Sequence, residues 1–181
     1  MKDTDQNTKQ LEPLEQLFEA AQQNNAEKVK SLLAVQPELA NTENKDGLTP
    51  LGYAAHFGST ESVHTLIEHG ADVNAISHSL ISFIPCNTAL HAALAGERSV
   101  EVIKLLLEHG ASTSTLDSDG QQALHTAAFH TDQTAIIDLL LEYGADVKAS
   151  NTSGEIALDI AKQRGHTSVA ARLEQAMAKL S

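Results

Sequence analysis

The feature that most constrains this 181-residue chain is an internal repeat. A leucine at the start of an alanine-rich apolar segment recurs five times, in steps of 34, 39, 34 and 34 residues. These leucines are Leu17, Leu51, Leu90, Leu124 and Leu158. A second apolar segment follows, and in three copies it ends at a glycine (Gly70, Gly110 or Gly144), where a left-handed C-cap residue is expected. The pattern predicts two helices in each copy. Because one such pair cannot bury its apolar surface alone, the copies must stack.

Short motifs within the repeat resemble a known family. Thr49-Pro50-Leu51 and the segment at residues 123–127 resemble the signature of the ankyrin-repeat family, and Gly-Ala-Asp-Val-Asn at residues 70–74 resembles its closing segment. The resemblance covers about residues 11–180 and implies an all-α solenoid of about five helix-turn-helix units, with β-turn fingers projecting to one side.

The resemblance also suggests how the chain is divided. We expect a flexible N-terminal tail at residues 1–10 and a single ankyrin-repeat domain at residues 11–181. The predicted units, numbered one to five below, are 11–44, 45–77, 78–116, 117–150 and 151–181. Units one and five are rich in polar residues that suit a capping role, so we expect one complete, short solenoid.

The finger at residues 76–87 departs from the repeat, because the step of 39 residues adds about five residues there. The next unit has a polar turn with a glycine at residues 117–120, whereas this finger has no glycine and carries four large apolar residues. They are Leu80, Ile81, Phe83 and Ile84. Apolar residues on a projecting loop need an internal cover or a partner. Three interpretations stay open: the finger packs against neighbouring fingers, contacts a partner, or forms a dimer contact.

The resemblance implies that partners dock on the concave face, which the finger tips and the exposed sides of the first helices would form. Position within the repeat, together with the long finger, gives ten candidate partner-binding residues. They are Leu48, Tyr53, His56, Phe57, Ile81, Phe83, Asp119, Gln121, Phe129 and His130. Three of the four phenylalanines are in this set, and aromatic side chains are enriched at interface hot spots. For Phe57 and Phe129, the alternative is packing beneath the adjoining finger.

Nine histidines raise the question of a metal site. His91 and His125 follow the repeat leucine, where the resemblance implies that the ring bridges backbone groups of neighbouring repeats. Three more have positions at helix ends that suit a structural role, namely His69, His109 and His166. The other four have no ligand spacing among them, so we predict no metal and no cofactor. They are His56, His64, His78 and His130.

Signatures of catalysis are missing from the sequence as well. No phosphate-binding loop and no nucleophile elbow occurs, and the carboxylates are scattered over helix faces and turns. We therefore predict no catalytic residues and no enzyme. Asn74 has two open interpretations: it resembles the asparagine that hydroxylases modify in some eukaryotic ankyrin proteins, and it is also an ordinary turn residue that closes the repeat.

Charge and composition limit the class of partner. The chain has 12 Lys plus Arg against 24 Asp plus Glu, a net charge of -12. This charge argues against nucleic acid and favours a partner with a basic surface. There is no apolar signal segment and no run long enough to span a membrane, and Cys86 is the single cysteine. We expect a cytoplasmic protein that binds neither nucleic acid nor membrane.

Together these observations predict a non-catalytic protein–protein interaction module or scaffold that binds an unidentified protein on its concave face. The alternative is a regulatory protein that inhibits its partner by masking an active or binding site. We expect a monomer, with a weak dimer through the 76–87 finger as the alternative.

Overall fold

The computed structural model describes residues 12–96 and 99–180, and these residues form ten α-helices and one 3₁₀ helix. The predicted tail at residues 1–10 lies outside the described residues. Two α-helices fall within each predicted unit, and the all-α repeat architecture is confirmed. In chain order the helices are α1 (Pro13–Gln22), α2 (Ala26–Val35), the 3₁₀ helix (Pro37–Asn41), α3 (Pro50–His56), α4 (Thr60–Glu68), α5 (Ala89–Ala95), α6 (Val100–Glu108), α7 (Ala123–His130), α8 (Thr134–Glu142), α9 (Ala157–Arg164) and α10 (Thr167–Ala178).

The helices pack in two rows. The first helices of the units, α1, α3, α5, α7 and α9, contact one another in sequence, and the second helices form the row behind them. The repeat leucines are all buried, from 0 % exposed at Leu17 to 9 % at Leu158. One hydrophobic cluster runs from Leu17 to Leu173, so the units share a continuous core. The exact unit boundaries stay a prediction.

Three of the fingers are closed by the same hydrogen bonds around an Asn or Asp side chain. In unit four, the carboxylate of Asp117 accepts from the main-chain N–H of Asp119 (3.0 Å) and of Gln121 (2.8 Å). Asn44, directly before the predicted start of unit two, and Asn151 in unit five make the equivalent bonds. The residue that closes each turn sits seven residues before the repeat leucine.

The long finger, residues 76–87, keeps this closure with a different residue. The N–H of Ser77 donates to the carbonyl of Asn87 (2.9 Å), and the N–H of Asn87 donates to Ser77 Oγ (3.1 Å). Nine residues, 78–86, lie between them, whereas three residues, 118–120, lie inside the closure of unit four. The insertion is thus six residues, not the five predicted from the leucine step, because unit two is one residue shorter between its leucine and its closing glycine.

A groove between the fingers and the first helices

A groove with a volume of about 950 Å³ lies between the fingers and the exposed sides of α3, α5, α7 and α9. Its lining includes all ten candidate residues predicted from the sequence. They are Leu48, Tyr53, His56, Phe57, Ile81, Phe83, Asp119, Gln121, Phe129 and His130. The fold therefore brings residues from units two, three and four to one surface. Their role in partner binding stays a prediction.

On the unit-two side, the wall of the groove is a chain of aromatic rings. Tyr53 lies edge-on against Phe18 (5.2 Å between ring centroids) and against Phe57 (5.0 Å). His56 contacts Phe57 from the other side, at 5.1 Å. Edge-on contacts of this kind stabilise ring pairs by roughly 1 kcal/mol each. Phe57 is half-buried by these rings of its own helix, and its remaining surface lines the groove.

On the unit-four side, the wall is Phe129 with its two neighbours. Phe129 is 43 % exposed, so it is not packed beneath a finger. The His130 ring lies 4.9 Å from the Phe129 ring, and the Arg164 guanidinium of unit five lies 4.1 Å above it. A cation over a ring face is attracted by the ring's electron density and orders both side chains.

The long finger is fixed to both neighbours while its tip stays exposed. The N–H of Leu80 donates to the carbonyl of Asp46 in unit two, at 2.9 Å. On the other side, Cys86 and Ser118 of unit four exchange two bonds, each of 2.9 Å. Ile81 and Ile84 are half-buried, but Leu80 is 78 % and Phe83 is 83 % exposed. Packing against neighbouring fingers thus accounts for half of the apolar residues, and contact with a partner or a second copy stays open for the rest.

The groove is acidic. Four carboxylates line it, and in the described part of the chain none of them is in an ion pair with lysine or arginine. They are Asp46, Asp117, Asp119 and Glu155. Among the described residues that line the groove, Arg164 is the one lysine or arginine. Its guanidinium packs against the Phe129 ring. A positively charged ligand group would therefore meet carboxylates with no competing lysine or arginine bound to them.

His91 and His125 hold the fingers to the helices, as the resemblance implied. His91 Nε2 donates to the carbonyl of Gln121 (3.1 Å), and its Nδ1 accepts from the hydroxyl of Thr88 (2.9 Å). His125 Nε2 donates to the carbonyl of Ala149, at 3.1 Å. Burial lowers the pKa of both rings, which stay neutral at pH 7.

The other predicted structural histidines bond to backbone carbonyls. His69 Nδ1 donates to the carbonyl of Thr65 (2.8 Å), and His109 Nδ1 donates to the carbonyl of Leu105 (2.9 Å). His166 Nδ1 makes the same bond to Ala128, at 2.9 Å. Within residues 12–96 and 99–180, no group of three His, Cys, Asp or Glu side chains is placed to hold a metal ion.

Asn74 joins units two and three through both atoms of its amide. Its Nδ2 donates to the carbonyl of Gly110 (2.9 Å), and its Oδ1 accepts from the N–H of Ser112 (2.8 Å). Asn41 makes the equivalent pair of bonds to Gly70 and Asp72, one junction earlier. The interpretation of Asn74 as a closing residue is confirmed by these bonds, and its modification stays a prediction.

Sequence reasoning missed part of the groove lining. Ala92 and Ala95 form its floor at unit three, and Arg164 contributes to its unit-five end. Small residues carry no chemical signal of their own. The signal was positional: Ala95-Gly96 occupies the place in the repeat that His56-Phe57 occupies in unit two.

Comparison with known proteins agrees with this architecture. A family model described as ankyrin repeats, in three copies, matches residues 2–77 and 76–151. Ankyrin repeat domain-containing protein 49 of Bos taurus is 39 % identical over 66 residues, which are 36 % of this chain and 28 % of that protein. Serine/threonine-protein kinase VIK of Arabidopsis thaliana is 39 % identical over 90 residues, 50 % of this chain and 19 % of the kinase. Rabankyrin-5 of Mus musculus is 40 % identical over 67 residues, 37 % of this chain and 5 % of that protein.

These relatives are longer proteins, and the chain spans less than a third of the length of each. Among the described residues, no helix has the length and apolar character needed to cross a membrane.

Proposed function

The chain belongs to the ankyrin-repeat family, and from that premise we propose that it is a non-catalytic module that binds a partner protein along its groove. Ankyrin repeats generally mediate protein–protein interaction. The observation that carries the proposal is the pair of exposed rings, Phe83 and Phe129, on opposite sides of one groove. Exposed large apolar groups that share a concave surface are typical of interaction sites.

Charge supports a particular class of partner. The net charge is -12, and the groove itself contributes four carboxylates. A field of one sign attracts a partner of the opposite sign and speeds association at low salt. We therefore propose a protein with a basic segment or surface as the partner.

The absence of catalysis is part of the same proposal. Of the four histidines in the groove, His91 and His125 have both ring nitrogens engaged in structural bonds, so neither is free to take a proton from a substrate. The groove is also open along units two to five. The cytoplasmic location stays a prediction, which fractionation of the native cell would test.

The test is capture of the partner from the native cell, with identification by mass spectrometry and then binding measured with the purified partner. We expect Phe129→Ala to weaken that binding at least tenfold. Tyr143→Ala is the matched control, since Tyr143 is an exposed aromatic residue outside the groove, and it should leave binding unchanged. Equal binding by both variants would contradict the use of the groove.

Inhibition by masking would be a special case of the same contact. It predicts that the captured partner has an activity that falls in proportion to the fraction bound. If the partner's activity is unchanged at saturation, inhibition is excluded and only the scaffold role remains.

A further inference from the structure

The groove has a gap at its centre, at unit three. His56 and Phe57 stand five and six residues after the repeat leucine of unit two, and Phe129 lies at the corresponding place in unit four. In unit three the same two positions are Ala95 and Gly96. Two ring-bearing units therefore flank one unit that offers little more than a methyl group.

This gap is built into the packing of the helices. A Cβ at residue 96 would collide with the main-chain carbonyl of His56, so only glycine allows α5 to end this close to α3. Unit three then lines the groove from its helix with the buried His91 and with Ala92 and Ala95, and from its finger with apolar residues that include Ile81 and Phe83. The six inserted residues thus bring apolar side chains to the unit that has Ala95 and Gly96 where its neighbours have rings.

We define the socket as the part of the groove bounded by Phe57, Ala92, Ala95, Phe129 and the finger residue Phe83. Its walls are methyl groups and aromatic rings, and Phe83 and Phe129 leave apolar surface in contact with water. Burying a large apolar side chain there would remove apolar surface of both molecules from water, which is favourable. A side chain of leucine or phenylalanine size suits walls of this kind.

The carboxylates of the groove favour particular residues next to the buried side chain of the ligand. Asp46 of unit two and Asp119 of unit four line the groove on the finger side of the socket, and neither is in an ion pair with a described lysine or arginine. Charges beside low-dielectric walls interact more strongly than charges in open water. Lysine or arginine residues that flank the buried side chain would be attracted to these two groups.

On the basis of the proposed function, we propose that the socket binds one large apolar side chain of a linear segment in the partner protein, with lysine or arginine beside it. A linear segment fits better than a single small molecule, because the groove of about 950 Å³ extends over four units and its chemistry changes along its length. The apolar side chain would fix the register of the segment in the groove. The basic residues would make the groove prefer this segment over neutral or acidic ones.

The first experiment is selection from a phage-displayed library of random peptides of about twelve residues on the purified, full-length chain. The expected consensus is Leu, Ile, Met or Phe next to Lys or Arg. The dissociation constants of synthetic peptides from the selection are then measured by fluorescence anisotropy, including versions with the anchor changed to alanine. We expect at least a tenfold loss for the alanine version.

The second experiment fills the socket from the protein side. Ala95→Leu places a larger side chain on its floor and retains helix propensity. Ala135→Leu makes the same change on the exposed surface of α8, outside the groove. We expect Ala95→Leu to weaken peptide binding at least tenfold, and Ala135→Leu to leave it unchanged. Circular dichroism is used to check that both variants are folded.

The third experiment removes one groove charge. Asp119→Asn should weaken the basic peptides threefold or more at low salt, and the difference should shrink at high salt. Glu142→Gln removes one exposed charge outside the groove and serves as the control.

An acidic or purely polar consensus, or binding that is insensitive to both Ala95→Leu and Asp119→Asn, would overturn the proposal that the socket binds such a segment. If the captured native partner still depends on Phe129 in that case, the proposed function survives and only the socket is lost.

Discussion

The fingers of units three and four occupy the same place in the repeat but differ in what their closure encloses. In unit four, Asp117 closes a three-residue turn through two N–H groups, and Gly120 supplies the positive φ of +76°. In the long finger, Ser77 and Asn87 keep the closure, and nine residues lie between them where unit four has three. The solenoid tolerates this insertion because the closure at its base is retained.

The two fingers are also held to the stack differently. His91 donates a ring N–H to Gln121 in the finger of unit four, and His125 donates one to Ala149, at the base of the finger that leads into unit five. The residue of unit two that would hold the long finger in this way is Gly52. The long finger is attached by one main-chain bond to Asp46, by two bonds to Ser118, and by the main-chain N–H and ring of His78, which both contact the Glu43 carboxylate. The difference teaches that the short fingers depend on buried histidine rings, whereas the histidine that helps to hold the long finger is exposed.

The largest effect should come from the glycine that stands four residues before the repeat leucine. Gly47 has a φ of +75°, and a Cβ there would collide with the backbone of His78 in the long finger. Gly47→Ala should lower the free energy of unfolding by about 3 kcal/mol, because both strain and a collision are introduced. Cys86 stands at the equivalent place in the long finger, and Cys86→Ala should cost less than about 1 kcal/mol. Urea unfolding followed by circular dichroism measures the free energy of unfolding of both variants. Equal losses would contradict the expected difference between the two positions.

The closures themselves should differ by about a factor of two. Asp117→Ala removes the acceptor of two N–H groups and should cost about 2 kcal/mol. Ser77→Ala removes the acceptor of one, that of Asn87, and should cost about 1 kcal/mol. The same unfolding assay applies. A larger loss for Ser77→Ala would mean that the long finger depends on its closure more than the short finger does.

The sequence was sufficient for the repeat, the helix pairs and the aromatic residues of the groove, because each depends on spacing within one unit. Position after the repeat leucine placed Tyr53, His56, Phe57 and Phe129 on one surface, and the structure has them there. The sequence was not sufficient for the split within the long finger. Leu80 and Ile81 are adjacent and equally apolar, yet one is exposed and the other is half-buried. The path of the finger there includes a bond from Leu80 to Asp46 in another unit, and no local pattern encodes such a contact.

Acid should affect the short fingers before the long one. Burial lowers the pKa of His91 and His125, whereas in the unfolded chain histidine titrates near 6.5. Below that pH the unfolded state binds more protons, so this stability is complete above about pH 6.5 and is lost as the pH falls toward the folded pKa. The limit is about 1.4 kcal/mol per pH unit for each ring. Unfolding at pH 7.5 and 5.5 should show the loss.

Two further measurements make the pH prediction specific. The double variant His91→Gln and His125→Gln should be less stable at pH 7.5 but should depend less on pH between 7.5 and 5.5. Hydrogen exchange at pH 5.5, corrected for the intrinsic rates, should show lost protection at the Gln121 amide and retained protection at the Asn87 amide. Equal loss at both amides would contradict the separate supports of the two fingers.

The smallest effect on stability should come from the tip of the long finger. Phe83 is 83 % exposed, so Phe83→Ser removes little buried surface and should change the free energy of unfolding by less than about 0.5 kcal/mol. The same change removes one wall of the socket and should weaken peptide binding at least tenfold. Ile84 is the next residue and is half-buried. Ile84→Ser should therefore lower the free energy of unfolding more than Phe83→Ser does. If Phe83→Ser destabilises the protein as much as Ile84→Ser does, the tip is part of the core, and the inserted residues serve packing rather than a partner.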